Sequence, residues 1–293
     1  MFHSKAIYYF NINDHANAYH YSLKEKDILF NNRWLIKQNI IGYIGSLNNH
    51  IFYCFKLGKY DEVKTLIDET RKIPILFPIL SNTDVEFRIF RTFYPLEIEL
   101  YTCLGDIKKI LEILLQFENG INHYKKKIND TALVISTFTL ASAYFTCSDY
   151  TNSIKHVNTI LSLSAKNLLR IDILCFTRII NLIIHYELGN KELLEYTAVS
   201  VYRFLYKKER LYQTEKIFLD FIKLKLHKLF TEKQVIEAFK ELKDELTELT
   251  KDPYEKRFLE GFDLISWLQS KIENRPFAEV VKENFAKEIA TSK

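Results

Sequence analysis

The chain has 293 residues and a net charge of +4, with 47% hydrophobic and 27% charged residues. This balance is typical of a globular protein with a self-sufficient core, and it excludes a disordered chain or a bundle of membrane spans. Only seven glycines and five prolines are present, too few for the turns of a many-stranded sheet, so the composition predicts an all-α protein.

A turn signal recurs along the chain as an aromatic residue, a small residue and then a polar one. It occurs as YCFKLGKY at 53–60, YTCLGDI at 101–107, YFTCSDY at 144–150 and HYELGNK at 185–191. Recurrence at such an interval is the signature of a helical repeat array. The turn markers lie 41 to 47 residues apart: Asn13, Gly58, Gly105, Ser148, Gly189 and, more faintly, Thr231 and Arg275. This spacing predicts about seven antiparallel helical hairpins, forming a single domain over 1–293.

The chemistry of each marker suits the end of one helix and the start of the next. A glycine there adopts the left-handed backbone conformation without steric cost. Ser148 holds the same place and is expected to carry a small conformational penalty. The residue after the marker is polar and can cap the next helix by accepting a backbone N–H hydrogen bond: Asp106, Asp149 and Asn190.

Prolines and one amphipathic stretch define the remaining elements. Pro74 and Pro78 lie in the connection IPILFPIL, which is apolar enough to pack against a hairpin edge. Pro95 is expected to begin or kink its helix. Further on, the apolar stripe of 231–250 predicts an amphipathic helix, and Pro253 is placed to open another.

Residues 138–161, FTLASAYFTCSDYTNSIKHVNTIL, resemble a tetratricopeptide repeat. The family pattern is matched at these positions: Leu140, Ala141, Tyr144, Ser148-Asp149-Tyr150, Ser153 and Leu161. The stretch 54–67 is similar through its Gly-Lys-Tyr-Asp-Glu sequence. The resemblance is best over 1–205, and degenerate hairpins follow over 206–293. It implies a right-handed α-solenoid, with hairpins longer than the family period of about 34 residues.

In that family, fixed positions of each hairpin's first helix line a concave groove that binds a protein or peptide. Transferred residue by residue, these positions give the candidate groove residues Asn48, Phe52, Phe55, Glu99, Phe138, Phe145 and Tyr186, with Lys56 beside them. Arg178 lies on a first helix and could bind a carboxylate or phosphate of the partner. The alternatives are that the aromatic side chains pack between hairpins, that Arg178 is solvated or salt-bridged, and that Asn48 is an ordinary surface residue.

No motif for catalysis or for a cofactor is present. The sequence contains no HExxH, GxxxxGK[ST], GxGxxG, EF-hand loop or GxSxG, so we expect no enzymatic activity, no cofactor and no metal. None of the eight histidines lies three or four residues from another, which favours packing over metal ligation. The four cysteines form no CxxC pair and are expected to be reduced. With no signal peptide or membrane span in evidence, the expected location is cytoplasmic.

The leading hypothesis is therefore a non-catalytic scaffold that binds a protein or peptide. Two alternatives stay open. Long degenerate hairpins resemble those of peptide-sensing bacterial regulators, which would make the chain a ligand- or peptide-sensing module of a transcription system. Helical repeats can also bind nucleic acid, but the 41 basic residues are interleaved with 37 acidic ones, which argues against it.

Overall fold

The computed structural model of the chain describes residues 1–78, 82–164, 170–252, 255 and 261–291. These residues are mostly helical and contain no β-strand, which confirms the all-α prediction. No helix in this described part combines the length and the apolar character that a membrane crossing requires.

The helices follow one another with short connections. In the first part of the chain they are α1 (Phe2–Asn11), α2 (His15–Asn31), α3 (Arg33–Gln38), α4 (Ile40–Lys56), α5 (Tyr60–Arg71), α6 (Ile73–Leu76), α7 (Thr83–Cys103) and α8 (Ile107–His123). Then come α9 (Asp130–Thr146), α10 (Tyr150–Ser164), α11 (Ile171–Glu187), α12 (Lys191–Lys207) and α13 (Gln213–Asp220), a π-helix (Phe221–Lys225), a 3₁₀-helix (Leu226–Lys228), α14 (Glu232–Leu249), α15 (Leu264–Ile272) and α16 (Phe277–Thr291).

Residue contacts divide the chain into two compact units. Unit 1 comprises Met1–Tyr101, Leu115–Lys127 and the chain from Ala286 onward, and unit 2 comprises Thr102–Leu114 and Ile128–Phe285. Within each unit, helices pack in sequence as pairs, such as α1 with α2 and α4 with α5 in unit 1, and α9 with α10 and α11 with α12 in unit 2. Such pairing is consistent with a helical repeat. The single right-handed solenoid over 1–293 stays a prediction.

Each turn marker lies between two helices, as predicted. Gly58, Gly105 and Gly189 have φ angles of 67°, 62° and 73°. Ser148 has a φ of 60°, so it carries the expected penalty of a side chain in the left-handed region. In these turns the backbone bends back on the preceding helix, as where Asp149 N–H donates to the Tyr144 carbonyl at 2.9 Å. This is the hydrogen bond of a Schellman helix end.

The capping predictions hold at two turns and fail at one. Asp106 Oδ1 accepts from the Lys109 N–H at 3.1 Å, and Asp149 Oδ1 accepts from the Asn152 N–H at 3.0 Å. Asn190 makes no side-chain cap, so that prediction is wrong. Its Nδ2 lies 3.2 Å from His185 Nδ1, at the end of the preceding helix.

The proline predictions have mixed outcomes. Ile73 and Phe77 of the apolar connection are buried in one core with α4 and α5, whereas Ile75 and Leu76 are exposed, so the connection packs through part of its length. Pro95 lies inside α7, so the expectation that it begins a helix is wrong, and the alternative of a kink stays a prediction. The helix predicted in 231–250 is α14, which Thr231 and Gln234 start with a reciprocal capping box. Pro253 lies outside the described residues.

Each unit has its own apolar core. In unit 1, side chains of α4, α5 and α7 interlock around Leu47, Ile51, Leu66 and Leu100. In unit 2, the largest fully buried side chains include Phe145, Phe218, Phe239 and Trp267.

Replacing Gly58 by valine is expected to lower the free energy of unfolding by about 1 to 2 kcal/mol, because a β-branched residue is strained at φ 67°. Gly45→Ala in the middle of α4 is the matched control. A Cβ at that position meets nothing within 4 Å, so the substitution should stabilise the helix by about 0.5 to 1 kcal/mol. Urea unfolding of both variants checks this; equal stability of Gly58→Val and the parent chain would contradict the role given to Gly58.

Candidate functional site

Four of the groove positions in unit 1 lie on helix α4. Asn48, Phe52 and Lys56 are spaced by four residues and so share one face of the helix. Phe52 and Lys56 are exposed, whereas Asn48 and Phe55 are half-buried. Phe55 turns toward the core, where it lies 6.0 Å from the Tyr60 ring.

Helices α1 and α7 extend this face on either side. The ring of Phe10 on α1 meets the ring of Phe52 edge-on at 5.5 Å, and Lys56 Nζ lies 5.7 Å from the centre of the Phe52 ring. Lys56 also interacts electrostatically with Glu99 on α7. Phe10, Phe52, Lys56 and Glu99 thus follow one another across the first helices of three successive hairpins. We call these four residues, together with Asn48, the α1–α4–α7 surface.

Glu99 is the acidic residue of this surface. Its side chain is exposed to solvent, yet desolvation by the surrounding protein raises the pKa of its carboxyl, with Lys56 acting in the opposite direction. Neighbouring protein therefore displaces part of the hydration of this carboxylate. Lys56 and Glu99 place one charge of each sign on the α1–α4–α7 surface.

The predicted groove residues in unit 2 are more deeply packed. Phe145 is completely buried, with ring contacts at 5.1 to 5.4 Å to Tyr150, Phe262 and Phe277. Phe138 is half-buried and lies 6.5 Å from the Phe176 ring. These positions favour the alternative that the aromatic side chains pack between helices.

Tyr186 and Arg178 of α11 are also held by neighbouring rings. The Tyr186 ring lies 5.6 Å from those of Phe239 and Trp267, and burial raises the pKa of its phenol to about 12. The Arg178 guanidinium stacks 4.1 Å from the Phe204 ring, and its Nε is buried without a hydrogen-bond partner. Burial lowers the pKa of Arg178. The binding roles of both residues stay predictions.

The structure also assembles a polar cluster in unit 1 that the sequence analysis did not predict. His50 and Cys54 lie one turn apart on α4, and Glu62 approaches them from α5. One ligand atom of each of the three lies within 4.8 Å of the others. His50 and Cys54 are 1% and 0% exposed, whereas the Glu62 side chain is 28% exposed.

Hydrogen bonds fix the orientation of the His50 ring. The Ser22 hydroxyl on α2 lies 2.8 Å from the Tyr19 carbonyl oxygen and 2.7 Å from His50 Nδ1. His50 Nε2 then faces Glu62 Oε1 at 3.3 Å. The Tyr19 phenol donates to Glu62 Oε2 at 2.9 Å, and its ring stacks on His50 at 5.2 Å.

Burial dominates the electrostatics of this cluster. It lowers the pKa of His50, against the opposing effect of the Glu62 carboxylate. It raises the pKa of the Cys54 thiol to about 12, with a further contribution from Glu62 and opposing ones from Lys59 and Lys26. In the absence of another ligand, the cluster therefore favours a neutral imidazole and a neutral thiol at pH 7.

The order Ser22, His50, Glu62 has the connectivity of a hydrolase triad, but its geometry does not provide a nucleophile. Ser22 is 3% exposed, and its hydroxyl also lies within hydrogen-bond distance of the Tyr19 carbonyl, at 2.8 Å. A catalytic serine needs access to its substrate. The arrangement orients the histidine instead.

A pattern for this cluster exists in the sequence but is weak. His50 and Cys54 have the i,i+4 spacing of two ligands on one helix face. A search for two histidines three or four residues apart does not detect this pair. Glu62 comes from the next helix, and no sequence pattern places it beside them.

No model of a known protein family matches the chain. A search of curated proteins also finds no match. The resemblance to tetratricopeptide repeats therefore rests on the residues quoted above and on the sequential pairing of helices.

Proposed function

We propose that this chain is a non-catalytic scaffold that binds a protein or peptide segment on the α1–α4–α7 surface. The observation that carries the proposal is the continuity of this surface: Phe10, Phe52, Lys56 and Glu99 join the first helices of three successive hairpins. Helical repeats bind partners across such inner faces because each repeat contributes one strip of side chains.

The side chains suggest how a peptide is recognised. Phe10 and Phe52 offer an aromatic contact for an apolar side chain, and Asn48, one turn from Phe52, offers an amide for hydrogen bonds to a peptide backbone. Lys56 and Glu99 supply one charge of each sign, which favours a mixed rather than a purely acidic segment. The proposal places the protein in the cytoplasm, where thiols such as the buried Cys54 and Cys175 stay reduced.

Peptides selected from a displayed random library on the parent chain are expected to bind Phe52→Ala and Glu99→Gln at least about tenfold more weakly, as expected for residues at the centre of an interface. Phe30→Ala is the matched control, because Phe30 is an aromatic residue of the same unit, 60% exposed on α2, and lies outside the surface. Binding is measured by calorimetry on variants with unchanged circular dichroism. Failure to select any peptide, or equal losses in Phe30→Ala and Phe52→Ala, would refute the proposal.

A further inference from the structure

We propose that His50, Cys54 and Glu62 form a binding site for a zinc-like divalent cation that ties α4 to α5. The site is separate from the α1–α4–α7 surface and does not depend on the proposed function. Thiolate, imidazole and carboxylate are the three side-chain ligands that zinc uses in proteins.

His50 Nε2 lies 3.3 Å from Glu62 Oε1, and His50 Nδ1 lies 2.7 Å from the Ser22 oxygen. When the ring carries its proton on Nδ1, Nε2 presents a lone pair toward the Glu62 carboxylate. A divalent cation between Nε2 and Oε1 binds both atoms at once and selects this tautomer.

The distances fit a metal ion. Two ligands bound to zinc at about 2.0 to 2.1 Å in tetrahedral geometry lie about 3.3 Å apart, which equals the observed separation of Nε2 and Oε1. A sulfur bound at about 2.3 Å lies about 3.6 Å from the nitrogen. Cys54 Sγ lies within 4.8 Å of one ring nitrogen of His50 and of one carboxylate oxygen of Glu62. A side-chain rotation that closes about 1.2 Å brings the sulfur to bonding distance of the same ion.

Cys54 supplies the third donor. Its thiol, one helical turn from His50 on the same face of α4, adds a sulfur ligand to the imidazole and the carboxylate, and zinc favours this set. Binding converts the Cys54 thiol to a thiolate and releases its proton to solvent. Thiolate and carboxylate then balance the 2+ charge, with Glu62, the most exposed of the three, on the side where water can complete the coordination.

The surroundings provide the outer-shell support that metal sites need. Ser22 Oγ lies 2.7 Å from Nδ1, the nitrogen of His50 that does not face Glu62, and the Tyr19 phenol donates to the second oxygen of Glu62. Such contacts fix the orientation of the ligands.

Zinc titration of untagged, chelator-treated protein tests the proposal. We expect one zinc ion per chain and a raised thermal midpoint. With cobalt in its place, we expect the charge-transfer band of a cobalt thiolate and the visible bands of tetrahedral cobalt. Ser22→Ala should weaken zinc affinity by about 10- to 100-fold, the usual effect of removing an outer-shell partner, and Cys54→Ser should weaken it more. Cys147→Ser, which removes a half-buried thiol in unit 2, should leave the affinity unchanged.

Glu62→Gln serves as a second ligand variant should Cys54→Ser fail to fold, because Glu62 is the most exposed of the three. The proposal is overturned if the parent chain takes up no zinc and shows a featureless cobalt spectrum, which would leave the cluster a hydrogen-bonded one. It is equally overturned if zinc uptake survives both Cys54→Ser and Glu62→Gln, since the ion would then bind elsewhere.

Discussion

Replacing Phe145 by alanine is expected to lower the free energy of unfolding by about 3 to 5 kcal/mol. The ring is completely buried, and aromatic neighbours surround it: Tyr150, Phe262 and Phe277. Truncation removes the transfer free energy of a phenyl group and leaves a cavity that rigid aromatic walls fill poorly. The loss should appear as a lower urea midpoint with an unchanged m-value.

Phe52→Ala is the comparison for this prediction. Phe52 is 37% exposed and has a single close aromatic partner, Phe10, so its truncation should cost less than about 1 kcal/mol. Phe145 would then be a residue that stabilises unit 2, and Phe52 a residue of unit 1 whose ring is free to contact a partner. Similar small losses for both would show that Phe145 is not the packing residue described here.

The second large effect concerns pH. Glu215 on α13 is 4% exposed, and its Oε2 has no hydrogen-bond partner. Burial, together with the neighbouring Glu255 carboxylate, raises the pKa of its carboxyl from 4.5 to about 7, against the opposing effect of backbone hydrogen bonds. The lower pKa applies to the unfolded chain and the higher one to the folded chain. At a pH between the two, the folded chain therefore binds more protons at this position than the unfolded chain does.

The sign of the stability change follows from that difference. Below about pH 4.5 the contribution of Glu215 to the free energy of unfolding is constant. As the pH rises from about 4.5 to about 7, this contribution falls. Above about pH 7 the chain has lost about 3 kcal/mol of stability relative to acidic pH. Glu215→Gln should remove this dependence and make the chain more stable than the parent at pH 8.

Thermal or urea unfolding from pH 4 to 8 measures this effect, with the exposed Glu195 providing the control substitution Glu195→Gln. The difference in stability between Glu215→Gln and the parent should grow with pH, whereas the Glu195→Gln difference should stay constant. A Glu215→Gln chain that keeps the parent's pH profile would contradict the assignment of a protonated, buried carboxyl.

Local features of the fold were predictable from the sequence because their causes are local. A glycine or serine at a left-handed helix end and an aspartate after it specify a turn within five residues, and the structure places Gly58, Ser148 and Asp149 as expected. Asn190 makes no cap, and its amide lies beside the His185 ring of the preceding helix. Pro95 shows that a helix of 21 residues tolerates a proline when packing on both sides of it is strong.

The exposure of the groove residues could not be predicted, because it depends on distant parts of the chain. Phe55 and Phe145 hold the same position in their hairpins, yet Phe55 is half-buried while Phe145 is completely buried. The difference is due to Phe262 and Phe277, which cover Phe145 from more than 100 residues further along. The cluster of His50, Cys54 and Glu62 was missed for the same reason, since its members meet only when α4 and α5 pack together.

The central claim is that a partner binds the α1–α4–α7 surface, and site-specific photo-crosslinking tests it most directly. A photoreactive phenylalanine analogue is placed at position 52 in one variant and at position 30 in the other, and both are irradiated in the cells that make the protein. We predict a discrete covalent adduct with the same protein in repeated experiments from position 52 and none from position 30. Adducts from neither position, or the same adduct from both, would contradict the claim.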